Sequence, residues 1–257
     1  MLTCNWRGKV GYGDIVSPIC YAHNVANKLD THVKLVFHWN HSSSHKICVD
    51  DPETLMERAS FIFDHCIKSN VSLEHRYHSA LPIHHDNYDF TDDLHNFWYS
   101  DQRHIGHSDI IVVNGTHHNM VTMAEYGKTW KDPIGEQGWA EFVSTLSKTH
   151  RVVDVSYRTP IKELVAVLQR AKVFVGYHGT AAWVAKFVQT PMVVFSNKVG
   201  LTQMSFSHAA VKTAMEPDFI DNIDDYITHS KKRLEGTLSR YRDYRLPENL
   251  VKSFVWT

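Results

Sequence analysis

The sequence predicts an α/β protein of two halves, each built on a parallel sheet, with a charged helix at the C-terminal end. Three observations carry that expectation. Short apolar runs alternate with amphipathic segments at the spacing of strand–helix–strand units, which implies right-handed crossovers. The chain has 257 residues, enough for two domains of about 100–130 residues each. It is 43% apolar and 21% charged, a globular balance that can bury a sizeable core.

In chain order, Gly11-Tyr12-Gly13-Asp14 reads as a turn. It leads into a helix over 15–29, because Ile15, Ile19, Ala22, Ala26 and Leu29 recur at helical spacing. HVKLVF (32–37) reads as a strand from its β-branched and aromatic content. Asp50-Asp51-Pro52 marks a helix start, with the helix running over 52–68. A strand is expected over 71–77, a polar loop over 84–93 and a short helix over 92–100. DIIVVN (109–114) is apolar throughout, as a doubly covered parallel strand is. A helix over 135–148 carries Trp139, Phe142, Val143 and Leu146. Strands follow at 151–155, 173–176 and 191–196. Thr159-Pro160 caps an intervening helix over 161–170, with Glu163 in its first turn, and another helix spans 179–188. Residues 217–244 read as a charged helix with Lys231, Lys232, Arg233, Arg240, Arg242 and Arg245. That segment is either a solvated terminal helix or a basic surface for a phosphate-rich partner. The expected division is 1–105, 106–216 and 217–257, with hinges near 101–108 and 197–216.

Composition narrows the function. The formal net charge is −1, so no global basic field points to nucleic acid. No apolar run is long enough to span a membrane. Residues 1–8 lack the apolar core of a signal peptide, which implies a cytoplasmic protein. The four cysteines, Cys4, Cys20, Cys48 and Cys66, form no Cys-x-x-Cys pair and read as buried small apolar residues. Histidine is abundant, at 19 copies, but no His-Glu-x-x-His motif or zinc-finger spacing occurs, so no metal site is expected.

The segment AKVFVGYHGTAAWVAKFVQTPMVVFS (171–196) is the most informative. A buried strand ends at Gly176, a turn Tyr177-His178-Gly179-Thr180 follows, and a helix of small residues begins. The free amides and dipole at such a helix start favour a diphosphate. Gly179 allows close approach and Thr180 adds a hydroxyl donor. The alternative is an ordinary βαβ turn without a ligand. Gly-x-Gly-Asp at 11–14 lacks the third glycine of a dinucleotide fingerprint, which argues against a dehydrogenase.

With the preceding helix, VLQRAKVFVGYHGTAAWVAKFVQTPMVVFS resembles the donor-site segment of GT-B glycosyltransferases, especially the bacterial heptosyltransferase type. TPIKELVAVLQR (159–170) resembles the helix just upstream, and residues 128–146 resemble the segment after the first strand of the second half. VGYGDIVSPICYAHNVANKL (10–29) resembles the opening turn and Pro-containing helix of that type. The resemblance implies two Rossmann-like halves and a metal-independent transferase. It has no tightly bound cofactor, and its co-substrate is a nucleotide-sugar, a UDP-sugar first of all.

The resemblance also implies residue roles. Asp14, beside Gly13, becomes the base that deprotonates an acceptor hydroxyl; the residue pattern alone also allows a helix cap. His178 donates to a phosphate oxygen or assists the leaving group. Lys128 and Lys131 supply cations for the diphosphate. Asn114, Gly115 and Thr116 shape the floor of the donor site together with Gly176, Gly179 and Thr180. Tyr157 and Arg158 contact the base or ribose. The acceptor implied is a glycan, or a hydroxymethylated pyrimidine in DNA as in the compact bacteriophage enzymes. A DNA acceptor would be flipped from the duplex, with Trp39, Trp98 or Tyr99 filling the gap. Three departures stand out: the chain is short for that type, His178 replaces an acidic residue or Asn, and residues 38–100 match no segment of it. A sugar-nucleotide epimerase of the same fold and a degenerate nucleotide-binding module are the alternatives.

Overall fold

The computed structural model describes residues 1–7, 12–39, 70–77, 108–115, 135–156, 158–177, 179–196, 206, 209–212, 218–246, 248 and 255–256. These form two compact units, Met1–Asp101 with Ser239–Thr257, and Gln102–Leu238. The helices expected at 52–68 and 92–100 and the loop at 84–93 lie outside the described residues.

The first unit holds a four-stranded sheet in the order β3-β2-β1-β9. Its strands are β1 (Leu2–Arg7), β2 (Val33–Trp39), β3 (Val71–Tyr77) and β9 (Val255–Trp256). β1, β2 and β3 run parallel, with Leu2 opposite Val33 and Val33 opposite Val71. β9 joins antiparallel, placing Leu2 opposite Trp256. β1 alternates as half-buried strands do: Leu2 and Cys4 are buried, Thr3 and Asn5 are not. Polar side chains bond across this sheet, His38 Nε2 of β2 to Asn5 Oδ1 of β1 at 3.0 Å and His32 Nε2, just before β2, to Ser72 Oγ of β3 at 3.0 Å. On β3, Glu74 takes both Lys34 and Arg76, and these hydrogen bonds hold its carboxyl down at about 2.

Helix α1 (Tyr12–Leu29) buries Ile19, Ala22, Val25 and Ala26. It starts earlier than the sequence suggests. Gly13 and Asp14 are part of its first turn and do not form a turn ahead of it, in keeping with the preference for acidic residues at a helix start. Pro18 lies within the helix and has no N–H to give the carbonyl of Asp14. The helix ends in a Schellman motif: Thr31 N–H donates to the Ala26 carbonyl at 3.1 Å, with Asp30 at φ 46°. Cys4 and Cys20 are both buried, and burial pushes the Cys4 thiol up to about 12.

The second unit holds five parallel strands in the order β5-β4-β6-β7-β8. They are β4 (Ile110–Asn114), β5 (Arg151–Asp154), β6 (Val173–Tyr177), β7 (Met192–Phe195) and β8 (Ala210–Lys212). The helices are α2 (Gly135–Leu146) between β4 and β5, α3 (Ile161–Arg170) between β5 and β6, and α4 (Thr180–Phe187) between β6 and β7. Helix α5 (Ile223–Asp243) follows β8. β4, β6 and β7 are buried along their whole length, as continuous apolar strands in a doubly covered sheet must be.

Strand alternation divides this core. Ile111, Val113, Val173, Val175, Tyr177, Val193 and Phe195 form one cluster with Trp139, Phe142 and Leu146 of α2, with Phe219 in the turn before α5, and with Ile223 and Ile227 of α5. Aromatic pairs knit it, Trp139 to Tyr177 tilted at 5.7 Å and Phe195 to Phe219 edge-to-face at 5.4 Å. The other face meets α3 and α4, whose buried residues include Leu164, Val165, Leu168, Ala181, Ala182 and Val184. Lys172 donates to Asp224 at 2.7 Å, which lowers the Asp224 carboxyl and ties the approach to β6 to the first turn of α5.

The boundary between the units falls inside α5, between Leu238 and Ser239. In the first unit the last turn of α5 is capped by Lys28. Its ammonium donates to the carbonyls of Tyr241 and Arg242 and lies 4.3 Å above the Tyr241 ring. Desolvation there lowers the Lys28 pKa, and Asp243 opposes that shift.

Candidate functional site

The strand order of the second unit reverses between β4 and β6. From β4 the chain passes through α2 to β5 on one side; from β6 it passes through α4 to β7 on the other. In open parallel sheets this reversal, at the carboxyl ends of the strands, is where ligands bind. Asn114 ends β4 and Gly176 stands opposite it in register. Gly115 follows, buried.

Gly176 is shaped by its neighbour. A Cβ there would stand 2.8 Å from the Asn114 carbonyl oxygen, 2.8 Å from Phe174 Cζ and 3.2 Å from Asn114 Cβ. The glycine therefore lets β4 and β6 meet where the sheet divides. Asn114 is 1% exposed, and its Nδ2 donates to the Val155 carbonyl at 2.7 Å. Val155 N–H in turn donates to the Val113 carbonyl at 2.9 Å, so the end of β4 and the exit of β5 are tied twice.

Three residues beyond Gly176, Gly179 is the N-cap of α4, in extended backbone and with no side-chain cap. The first helical bond runs from Trp183 N–H to the Gly179 carbonyl at 3.1 Å. The amides of Thr180, Ala181 and Ala182 thus have no acceptor inside the helix, and they carry its positive dipole end. Thr180 is half-buried. α4 closes with its own Schellman motif: Thr190 N–H donates to the Ala185 carbonyl at 2.9 Å, and Gln189 sits at φ 61°. Thr190 Oγ1 donates to the Leu168 carbonyl at 2.8 Å, anchoring the Gln-Thr-Pro turn to the end of α3.

The structure thus gathers Asn114, Gly115, Gly176, Gly179 and Thr180 at the carboxyl ends of β4 and β6. Arg158 is exposed after β5, its N–H on Ser156 Oγ at 3.2 Å. Thr159 does not cap α3. Its Oγ1 accepts from Ser156 N–H at 3.0 Å, and the N-cap is Pro160 with no side-chain bond, because the hydroxyl is already engaged in the turn before it. Thr116, Lys128, Lys131, Tyr157 and His178 lie outside the described residues. Gly13 and Asp14 are in the first turn of α1, in the first unit, and their side-chain surroundings are likewise outside the described residues.

Sequence reasoning placed Asn114 on the floor of the site and missed its buried, oriented amide. The signal was a lone polar residue closing an otherwise apolar strand. Of the histidines, His23 is buried in α1, and among the described residues no three His, Cys, Asp or Glu side chains group as a metal site would. No described helix is long and apolar enough to cross a membrane. Comparison with protein-family models, with curated proteins and with solved structures finds no match to this chain.

Proposed function

We propose that the chain is a GT-B-type glycosyltransferase whose second unit binds a nucleotide-sugar, a UDP-sugar in the first instance. The sugar moves to a hydroxyl acceptor, a glycan or a hydroxymethylated pyrimidine of DNA. The observation that carries donor binding is the strand reversal between β4 and β6, beside which α4 begins with an uncapped N-terminus. Diphosphate binding by helix amides needs no metal, and transfer then requires a base for the acceptor hydroxyl, the role assigned to Asp14. The transferase chemistry itself rests on the resemblance of residues 10–29 and about 109–196 to GT-B enzymes, since fold alone does not fix a reaction.

A thermal-shift screen with UDP-, GDP-, ADP- and CMP-sugars, with and without EDTA, tests the donor site. One nucleotide series should raise the melting temperature with or without EDTA, since a ligand at one hundred times its Kd stabilises by about 2.7 kcal/mol. No shift with any of them at millimolar concentration rejects the assignment. Labelled-sugar transfer to glycans and to hydroxymethylated DNA then tests the reaction, with Asp14→Asn expected to abolish transfer and keep nucleotide binding. Binding without transfer to any acceptor would leave a nucleotide-binding module or an epimerase.

A further inference from the structure

Asn114 is buried at the strand reversal, and half of its amide is committed. Nδ2 donates to the Val155 carbonyl at 2.7 Å. That bond fixes the orientation, because the opposite one would set two carbonyl oxygens against each other. Oδ1 is then left as an acceptor, and among the described residues it has no hydrogen-bond partner. An acceptor buried without a donor is costly, and such groups are commonly completed by a ligand or an ordered water. The Asn114 Cβ lies 3.2 Å from where a Gly176 Cβ would stand, so the residue flanks the strand whose next turn opens α4.

Two chemistries therefore stand side by side. The start of α4 offers N–H donors and suits an anion. Asn114 offers an oxygen and suits a neutral donor; a phosphate oxygen placed there would meet acceptor with acceptor. We propose that Asn114 Oδ1 accepts a hydrogen bond from a hydroxyl of the ligand's sugar portion. The second unit thus recognises a diphosphate and a polyol through separate groups, and Asn114 sets specificity for the polyol. This rests on the nucleotide-sugar reading above and adds to it which part of the ligand the end of β4 contacts.

Calorimetry on the full chain tests it with UDP-glucose, its ribose-deoxygenated forms, its hexose-deoxygenated forms and inorganic pyrophosphate. The deoxy ligands probe the contact without any substitution. One of them should bind the native protein at least tenfold more weakly than UDP-glucose, and which one tells ribose from hexose. In Asn114→Ala, checked for folding by circular dichroism, UDP-glucose should weaken to a similar degree. Removing the same hydroxyl should then cost less than twofold more, and pyrophosphate affinity should be unchanged. If UDP-glucose binds and every deoxy form binds within twofold of it, the inference is overturned while the donor site stands. The same holds if the hydroxyl effect persists undiminished in Asn114→Ala. If UDP-, GDP-, ADP- and CMP-sugars all fail to bind, the donor-site assignment falls and the inference with it.

Discussion

At Gly176 the absent side chain is a steric requirement. The residue sits in extended backbone, so the reason is crowding by Asn114 and Phe174. Gly176→Ala should destabilise by about 1–3 kcal/mol, the usual cost of overpacking a filled site. Urea unfolding measures it, and a loss under about 0.5 kcal/mol would mean that Phe174 swings aside. The case also shows how far a motif can be read. Gly176, Gly179 and Thr190 were visible in sequence as a strand, turn, helix and Thr-Pro pattern. Their local reasons were not. Thr190 ties a turn to the carbonyl of Leu168, a contact between residues 22 positions apart. Asn114 looked like the end of a strand, and only the approach of Val155 reveals that its amide is oriented.

At the scale of elements, apolar runs with a clear period were legible nearly to the residue. α3 spans 161–170 and β3 spans 71–77, as their patterns require. Elements formed by a few residues or by alternation with short polar side chains were not: β1, β8 and β9 escaped. β1 carried a usable signal in Leu2, Cys4 and Trp6 alternating with Thr3, Asn5 and Arg7, whereas β9 is two residues long and exists only because β1 offers it an edge. Helix α5 suggests its own test. Gly236 lies in its interior, exposed, and a Cβ there would meet nothing within 4 Å. With no packing reason for glycine, Gly236→Ala should stabilise by about 0.5–1 kcal/mol through chain entropy alone. A matched pair of denaturation curves checks this, and an unchanged or lower midpoint would contradict it.

For the whole molecule, alternating strands and helices disclosed the parallel strands of both sheets, but neither the antiparallel β9 of the first sheet nor the strand orders. Order depends on which way each crossover turns, and that is decided by how α2 and α3 find opposite faces of the sheet, a long-range matter. Each unit also carries a depressed carboxylate, Glu74 in the first and Asp224 in the second. A carboxyl whose folded pKa lies below its unfolded one stabilises above the unfolded value and loses that contribution as pH falls through the folded one. For Glu74 the window runs from about 4.5 down to about 2. Melting temperature should accordingly decline on acidification through that window, modestly because solvent screens the group. Glu74→Gln should flatten part of the decline, and equal slopes for the two proteins would show that the Lys34 and Arg76 contacts add nothing.

The division of the chain has a temporal consequence. The first unit is discontinuous, and the second lies wholly between its two parts. Synthesis runs from the N-terminus and domains generally fold as units. The second unit is thus complete in sequence before residues 255–256 are made, while the β1 edge that they cover waits open. An open strand edge is a template for wrong pairing. The hazard to a nascent chain therefore lies at β1, which is made before the second unit and closed after it.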